Sequence, residues 1–291
     1  MHDYLLSVLL GIVEGLTEFL PVSSTAHLRI SEHLLNISLT DGYWKMYSVV
    51  IQLGAILCLP YYFRSRIAKF LGTFPRGERN DRTALTHPLT LVLVAFVFTA
   101  IPSLLLTKVI GKHLESLYVM GSSLIVGGIV MWIVDALFGP TPPGGRHKTE
   151  TMEEVSTMQA IWIGICQIFS AVFPGTSRSM STITGGQLAG MSRPAALEFS
   201  FFLSMPTMAA ATVYELYKTL HAHAGETPLG RMPMNSHEWI VLIIGFVISF
   251  FVALAVVAWF MNWVRSRGFM PFAIYRIIVG AVVLLWMARG T

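Results

Sequence analysis

Glu14 and Glu18 stand four residues apart inside an apolar run, followed by Pro21, the hydroxyl cluster Ser23, Ser24 and Thr25, and then His27. An acidic side chain at membrane depth costs roughly 3 kcal/mol on insertion scales, so two on one face need a partner, a proton or a metal. With Ser7 and Gly11 they recur at i, i+4, i+7 and i+11, a single helical stripe of small and acidic residues. Carboxylates so placed can share a hard divalent ion such as Mg²⁺ or Ca²⁺. The alternative leaves one carboxyl protonated and the other hydrogen-bonded to a neighbouring helix. Ser24 and His27 fall at i and i+3 at the start of the next helix, where a hydroxyl nucleophile and an imidazole acid, base or phosphate ligand can meet one substrate atom.

A second polar stretch, FPGTSRSMST, carries Arg178 between Gly175, Thr176 and Ser177 on one side and Ser179 on the other. Glycine permits close backbone approach, and the helix that starts after the break presents a dipole that favours an anion. Guanidinium adds a bidentate fork suited to phosphate oxygens. The set reads as an oxyanion cradle; the simpler alternative has Arg178 only neutralising Glu14 or Glu18.

The elements that must position these groups belong to a membrane. Of 291 residues 54% are hydrophobic and 12% charged, with mean hydropathy +0.64, whereas a soluble domain carries about 25% charged residues. The net charge of +4 lacks an aromatic-interleaved basic stripe, so no nucleic-acid partner is expected. Cys58 and Cys166 fall in apolar runs and imply no disulfide framework. MHDYLLSVLL lacks a basic n-region and a cleavage site, and reads as mature sequence. Spans are predicted at 43–63, 88–108, 117–138, 195–218, 239–263 and 271–290. The pieces 4–20 and 159–173 are too short to cross about 30 Å of hydrocarbon, and they end at Pro21 and Pro174.

An offset of 153 residues lays GIVEGLTEFLPVSSTAH over GICQIFSAVFPGTSRSM, pairing Gly11 with Gly164, Pro21 with Pro174 and Ser24 with Ser177. The same offset superposes three pairs of spans, which points to duplication. The predicted fold is an all-α polytopic membrane protein of one membrane domain, 1–291, with six transmembrane helices and two re-entrant segments. Repeat 1 is 1–138 with its re-entrant segment at 4–33, a loop covers 139–156, and repeat 2 is 157–291 with its re-entrant segment at 157–190. Three crossings per half make the repeat inverted, with the broken helices meeting at the midplane around a cavity. Lys and Arg concentrate in RSRIAKFLGTFPRGERNDR, which places that loop in the cytoplasm and the mouth of the first break outside. Gln52, Glu198 and Arg276 read as supporting or interhelical polar groups, Asp135 as interfacial, and 140–156 as a flexible loop.

The motifs EGLTEFLPVSSTAH (14–27) and FPGTSRSMSTITGG (173–186), with VVIQLGAIL and EFSFFLSMP, resemble those of the BacA-type undecaprenyl-diphosphate phosphatases of bacteria, over essentially the whole chain. The resemblance implies removal of the terminal phosphate from a C55 polyprenyl diphosphate in the bacterial inner membrane, at a site open to the periplasm. It also implies recycling of the lipid carrier for peptidoglycan synthesis, bacitracin resistance, and dependence on Mg²⁺ or Ca²⁺. A second copy of the chain is a candidate partner. By the same similarity Glu18, Ser24, His27 and Arg178 are the catalytic group, and Glu14 and Glu18 the metal pair. Ser23, Thr25, Gly175, Thr176, Ser177, Ser179 and Arg178 are the substrate contacts. Ala26 and Met180 depart from glycines expected there. A carrier is the other function class that inverted repeats support, but carriage has no need of the hydroxyl, histidine, arginine and diacid set; a structural scaffold would waste these costly charges.

Overall fold

The computed structural model describes residues 2–37, 42–78, 81–106, 116–139, 147–220 and 234–289. Eleven α-helices and no strand occur among the described residues. The helix α1 (His2–Thr17) stops before Pro21, and α2 (Ser24–Leu34) starts afresh after the break. The second half repeats this as α7 (Thr157–Val172), Pro174 and α8 (Arg178–Leu188). Six helices are long and apolar enough to cross a bilayer, making this a multi-pass membrane protein: α3 (Gly42–Tyr62), α5 (Pro88–Leu105), α6 (Leu117–Phe138), α9 (Arg193–Leu220), α10 (Ser236–Ser266) and α11 (Met270–Arg289). A short helix, α4 (Arg64–Thr73), follows α3. The spans match those predicted, save that positions 107, 108 and 290 lie outside the described residues. Arg79 of the basic loop also lies outside them.

Burial follows the solvent. Leu93, Val97, Ile243, Val247, Val282 and Leu285 turn outward from the spans, as lipid allows, while aromatic rings fill the centre: Phe19, Phe199, Phe201, Phe260 and Phe269 are fully buried. Helices related by the sequence offset make equivalent contacts. The first broken helix, α1, packs on α10, and its counterpart α7 packs on α5, the counterpart of α10. A Cβ at Gly11 would stand 2.9 Å from Gly245 O, so this stripe position is small because two backbones touch there. The pair α6 and α11 pack on each other.

Two segments differ from the sequence reading. The run 140–146 lies outside the described residues, but 147–156 is an ordered strap. Thr149 exchanges backbone hydrogen bonds with Gly190 and Ser192, and Met152 and Val155 are fully buried. Its polar composition masks these two apolar anchors. Asp135 is buried rather than interfacial: its carboxylate accepts from Arg193 Nε at 2.7 Å, Gln187 Nε2 at 2.9 Å and the Phe269 N–H at 2.8 Å. These bonds satisfy a charge that an apolar span end could not.

Candidate active site

The two breaks are built alike. Ser23 caps α2 and Ser177 caps α8, each with left-handed backbone (φ 74° and 73°), and each side chain accepts from the N–H three residues on, of Ala26 or Met180. Left-handed backbone at a non-glycine residue costs about 1–2 kcal/mol, and such matched strain is characteristic of functional loops. The caps lie 154 residues apart, because Gly175 adds a residue to the second break. Gly175 itself has φ 94°, and a Cβ there would sit 2.5 Å from Met120 O. Beyond the breaks Ser24 therefore corresponds to Arg178, not to Ser177. The departures Ala26 and Met180 occupy equivalent places.

Glu18, one residue past α1, collects the polar groups. Its Oε2 accepts from Ser24 Oγ at 2.6 Å and from Gln52 Nε2 at 3.5 Å, and its Oε1 accepts from Arg178 Nη2 at 3.1 Å. Nε and Nη1 of Arg178 are buried with no hydrogen-bond partner among the described residues. A cavity of about 140 Å³ opens beside them, lined by Glu18, Ser23, Ser24, Thr25, Gln52, Gly175, Ser177 and Arg178, with Ser170, Pro174 and Met208 completing its wall. Unpaired guanidinium nitrogens next to two helix N-termini give it affinity for an anion with several oxygens.

Some of the expected groups stand elsewhere. His27 does not meet Ser24: its Nδ1 pairs with Ser23 O at 2.7 Å and its Nε2 with Tyr275 OH at 2.7 Å, over which the ring is stacked. A turn of helix carries its side chain back toward the cap it follows, away from the cavity. Ser179 donates to Leu20 O at 3.0 Å and so ties the second break to the first. Thr176 lines an apolar groove on the far side of its loop. Glu198 pairs with Arg66 at 2.8 Å.

Arg276 has a larger part than an interhelical bond. Fully buried, it donates to Pro21 O at 2.9 Å, Gly175 O at 3.0 Å and Ser123 O at 3.2 Å, so one side chain of α11 holds both breaks. Its position within a span signals buried polar partners; which carbonyls it takes follows from contacts 101 to 255 residues away.

Glu14 is fully buried one turn from Glu18, and neither of its oxygens has a hydrogen-bond partner among the described residues. Such an orphaned carboxylate fits a hard cation or a proton. No group of three or more His, Cys, Asp or Glu suited to a metal occurs among the described residues. A cation at Glu14 and Glu18 would thus draw most of its oxygens from substrate and water.

The sequence model of a family described as bacitracin resistance protein BacA matches residues 7–282. A relative from Koribacter versatilis (strain Ellin345), named undecaprenyl-diphosphatase, is 64% identical over 290 residues, covering 99% of this chain and 100% of its own. Relatives of the same name from Caldanaerobacter subterraneus subsp. tengcongensis and Persephonella marina are 41% and 38% identical. Each alignment covers 97% of this chain, with 95% and 98% of the relatives' own lengths.

Proposed function

Because the chain belongs to the BacA family of bacitracin resistance proteins, we propose that it is an undecaprenyl-diphosphatase, hydrolysing undecaprenyl diphosphate to undecaprenyl phosphate and inorganic phosphate. The observation that carries this reading is the chain of contacts from Ser24 Oγ through the Glu18 carboxylate to Arg178, beside a small cavity whose guanidinium nitrogens are unspent.

The Ser24 oxygen attacks the terminal phosphorus, and its proton passes to Glu18 Oε2, which already accepts it at 2.6 Å. The bond from that phosphorus to the bridging oxygen breaks, and undecaprenyl phosphate departs. Glu18 passes that proton to the departing phosphate; water then attacks the phosphoserine and gives one proton to Glu18, the bond from phosphorus to Ser24 Oγ breaks, and Glu18 returns the proton to that oxygen as inorganic phosphate leaves. Arg178 and the N-terminus of α8 take up the charge that develops on the phosphoryl oxygens. His27 orients the cap through Ser23 O in this scheme, and Glu18 takes the role of base. Glu14 and Glu18 would hold a divalent cation, Mg²⁺ or Ca²⁺, whose chemistry is to neutralise the diphosphate oxygens.

The reading extends to an inner-membrane enzyme with two inverted halves, 1–138 and 157–291, whose cavity opens to the periplasm. There it recycles the lipid carrier for peptidoglycan synthesis and confers bacitracin resistance, as a single copy or a homodimer. Phosphate release from farnesyl or undecaprenyl diphosphate by the purified protein tests the activity. Release by wild type, lost in Ser24→Ala and Glu18→Gln with the fold retained, supports it. No release by folded wild type overturns it in favour of a carrier.

A further inference from the structure

A groove of about 790 Å³ lies between α6, α7 and α8, with Val126, Val130, Phe169 and Leu188 among its walls. Its size is within the ~300–1,000 Å³ typical of sites for small-molecule ligands. Two of its hydroxyls are spent on nearby backbone, since Ser181 Oγ donates to Ser177 O and Thr184 Oγ1 to Met180 O. The groove shares a wall with the polar cavity. Phe173 and Thr176 face the groove, whereas Pro174, Gly175 and Ser177 of the same loop face the cavity.

At the equivalent place in the first half, two rings meet across the seam. By the offset of 153, Ser122 of α6 corresponds to Tyr275 of α11, and by the offset of 154 that holds just beyond the breaks, Ser181 of α8 corresponds to His27 of α2. His27 and Tyr275 are stacked, with centroids 5.6 Å apart, and hydrogen-bonded at 2.7 Å, closing the seam between their helices. Two serines leave the counterpart open. We infer that the groove between α6, α7 and α8 receives the first isoprene units of a polyprenyl diphosphate whose head group lies in the cavity, and that the His27–Tyr275 pair confines the chain to this one side. The inference rests on the phosphatase reading. Adjacency across the loop 173–177 distinguishes this groove from the lipid-facing surface at large, and a branched hydrocarbon chain asks nothing polar of it.

Photolabelling of wild-type protein in detergent, with a farnesyl diphosphate analogue bearing a benzophenone at its far end, tests this directly. Label is expected on α6 or α8 residues of the groove, displaced by farnesyl diphosphate and not by phospholipid. Label on the α2–α11 face, or equal displacement by phospholipid, overturns it. In parallel, Ser122→Tyr should raise KM for farnesyl diphosphate about tenfold, with kcat held and KM for the five-carbon isopentenyl diphosphate unchanged. An unchanged farnesyl KM in the folded variant also overturns the assignment. Absence of phosphate release by wild type would refute the phosphatase reading instead, since the label reports the groove without turnover.

Discussion

Ser24 donates its hydroxyl to Glu18 at 2.6 Å across the first break, so the residue just past one half-helix and the residue that begins the next form a hydrogen-bonded pair. The consequence is a hydroxyl with its proton acceptor already in place. Ser24→Ala should remove covalent turnover while leaving the cavity intact. Rapid quenching of wild type with a diphosphate labelled at the terminal phosphorus should trap label on the protein, and Ser24→Ala should trap none. Turnover of Ser24→Ala within tenfold of wild type would transfer the attack to water.

Arg178 uses one nitrogen on Glu18 and leaves Nε and Nη1 for a ligand. Lysine keeps the charge but not the fork. Arg178→Lys should lower kcat about 10²–10³-fold, the usual cost of losing one transition-state donor, with thermal unfolding in detergent nearly unchanged. Steady-state kinetics and a melting curve separate the two.

His27 touches Ser23 O and Tyr275 OH, not Ser24. His27→Ala should therefore lower kcat by misplacing the cap, up to about 10²-fold for an ångström of displacement, and leave the shape of the pH–rate profile unchanged. Loss of an ionisation from that profile would restore the histidine to the role of base.

Glu14→Gln keeps the side chain's shape and removes its charge. Stimulation of phosphate release by Mg²⁺ or Ca²⁺ should disappear, whereas the secondary structure seen by circular dichroism should not. A variant that still responds to either ion would leave Glu14 as a proton site only.

In the first turn of α4, Arg66 binds Glu153 through Nη2 at 2.7 Å and Glu198 through Nε at 2.8 Å. Burial raises the Glu153 carboxyl, but its hydrogen bonds to Arg66 and to backbone, with the charges of Arg66 and Lys69, together outweigh this and hold it below its ordinary value of 4.5. A group so lowered contributes stability above about pH 4.5 and loses it as pH falls through the lower folded value. Melting temperatures of wild type and Glu153→Gln should differ at pH 6 and converge as the pH drops below 4.5. A gap that widens on acidification would contradict the sign.

Much of this was legible in the sequence, for identifiable reasons. Pro21 and Pro174 cannot continue a helix, and runs too short to span must turn back, so both breaks could be placed before any coordinates. Glu14, Glu18 and Arg178 stand out because charge at that depth is costly. What the pattern did not reveal were choices between partners. By spacing His27 stands beside Ser24, and only the path of the chain through Ser23, with φ 74°, brings the Glu18 carboxylate to that hydroxyl instead. The extra residue at Gly175 shifts the second break by one, invisible to an alignment anchored on prolines. The strap 147–156 reads as polar, yet it is held by Met152 and Val155, two residues too few to register as periodicity.

Arg276 reaches Pro21, Gly175 and Ser123 from a single side chain. Any motion that drew the two breaks apart would take from Arg276 the carbonyl of Pro21 or of Gly175, at about 1–3 kcal/mol for the group left unpaired. The halves are thereby riveted at the point where a rocking transporter would need a hinge. One guanidinium thus acts as the keystone of two loops, and its removal would loosen both at once.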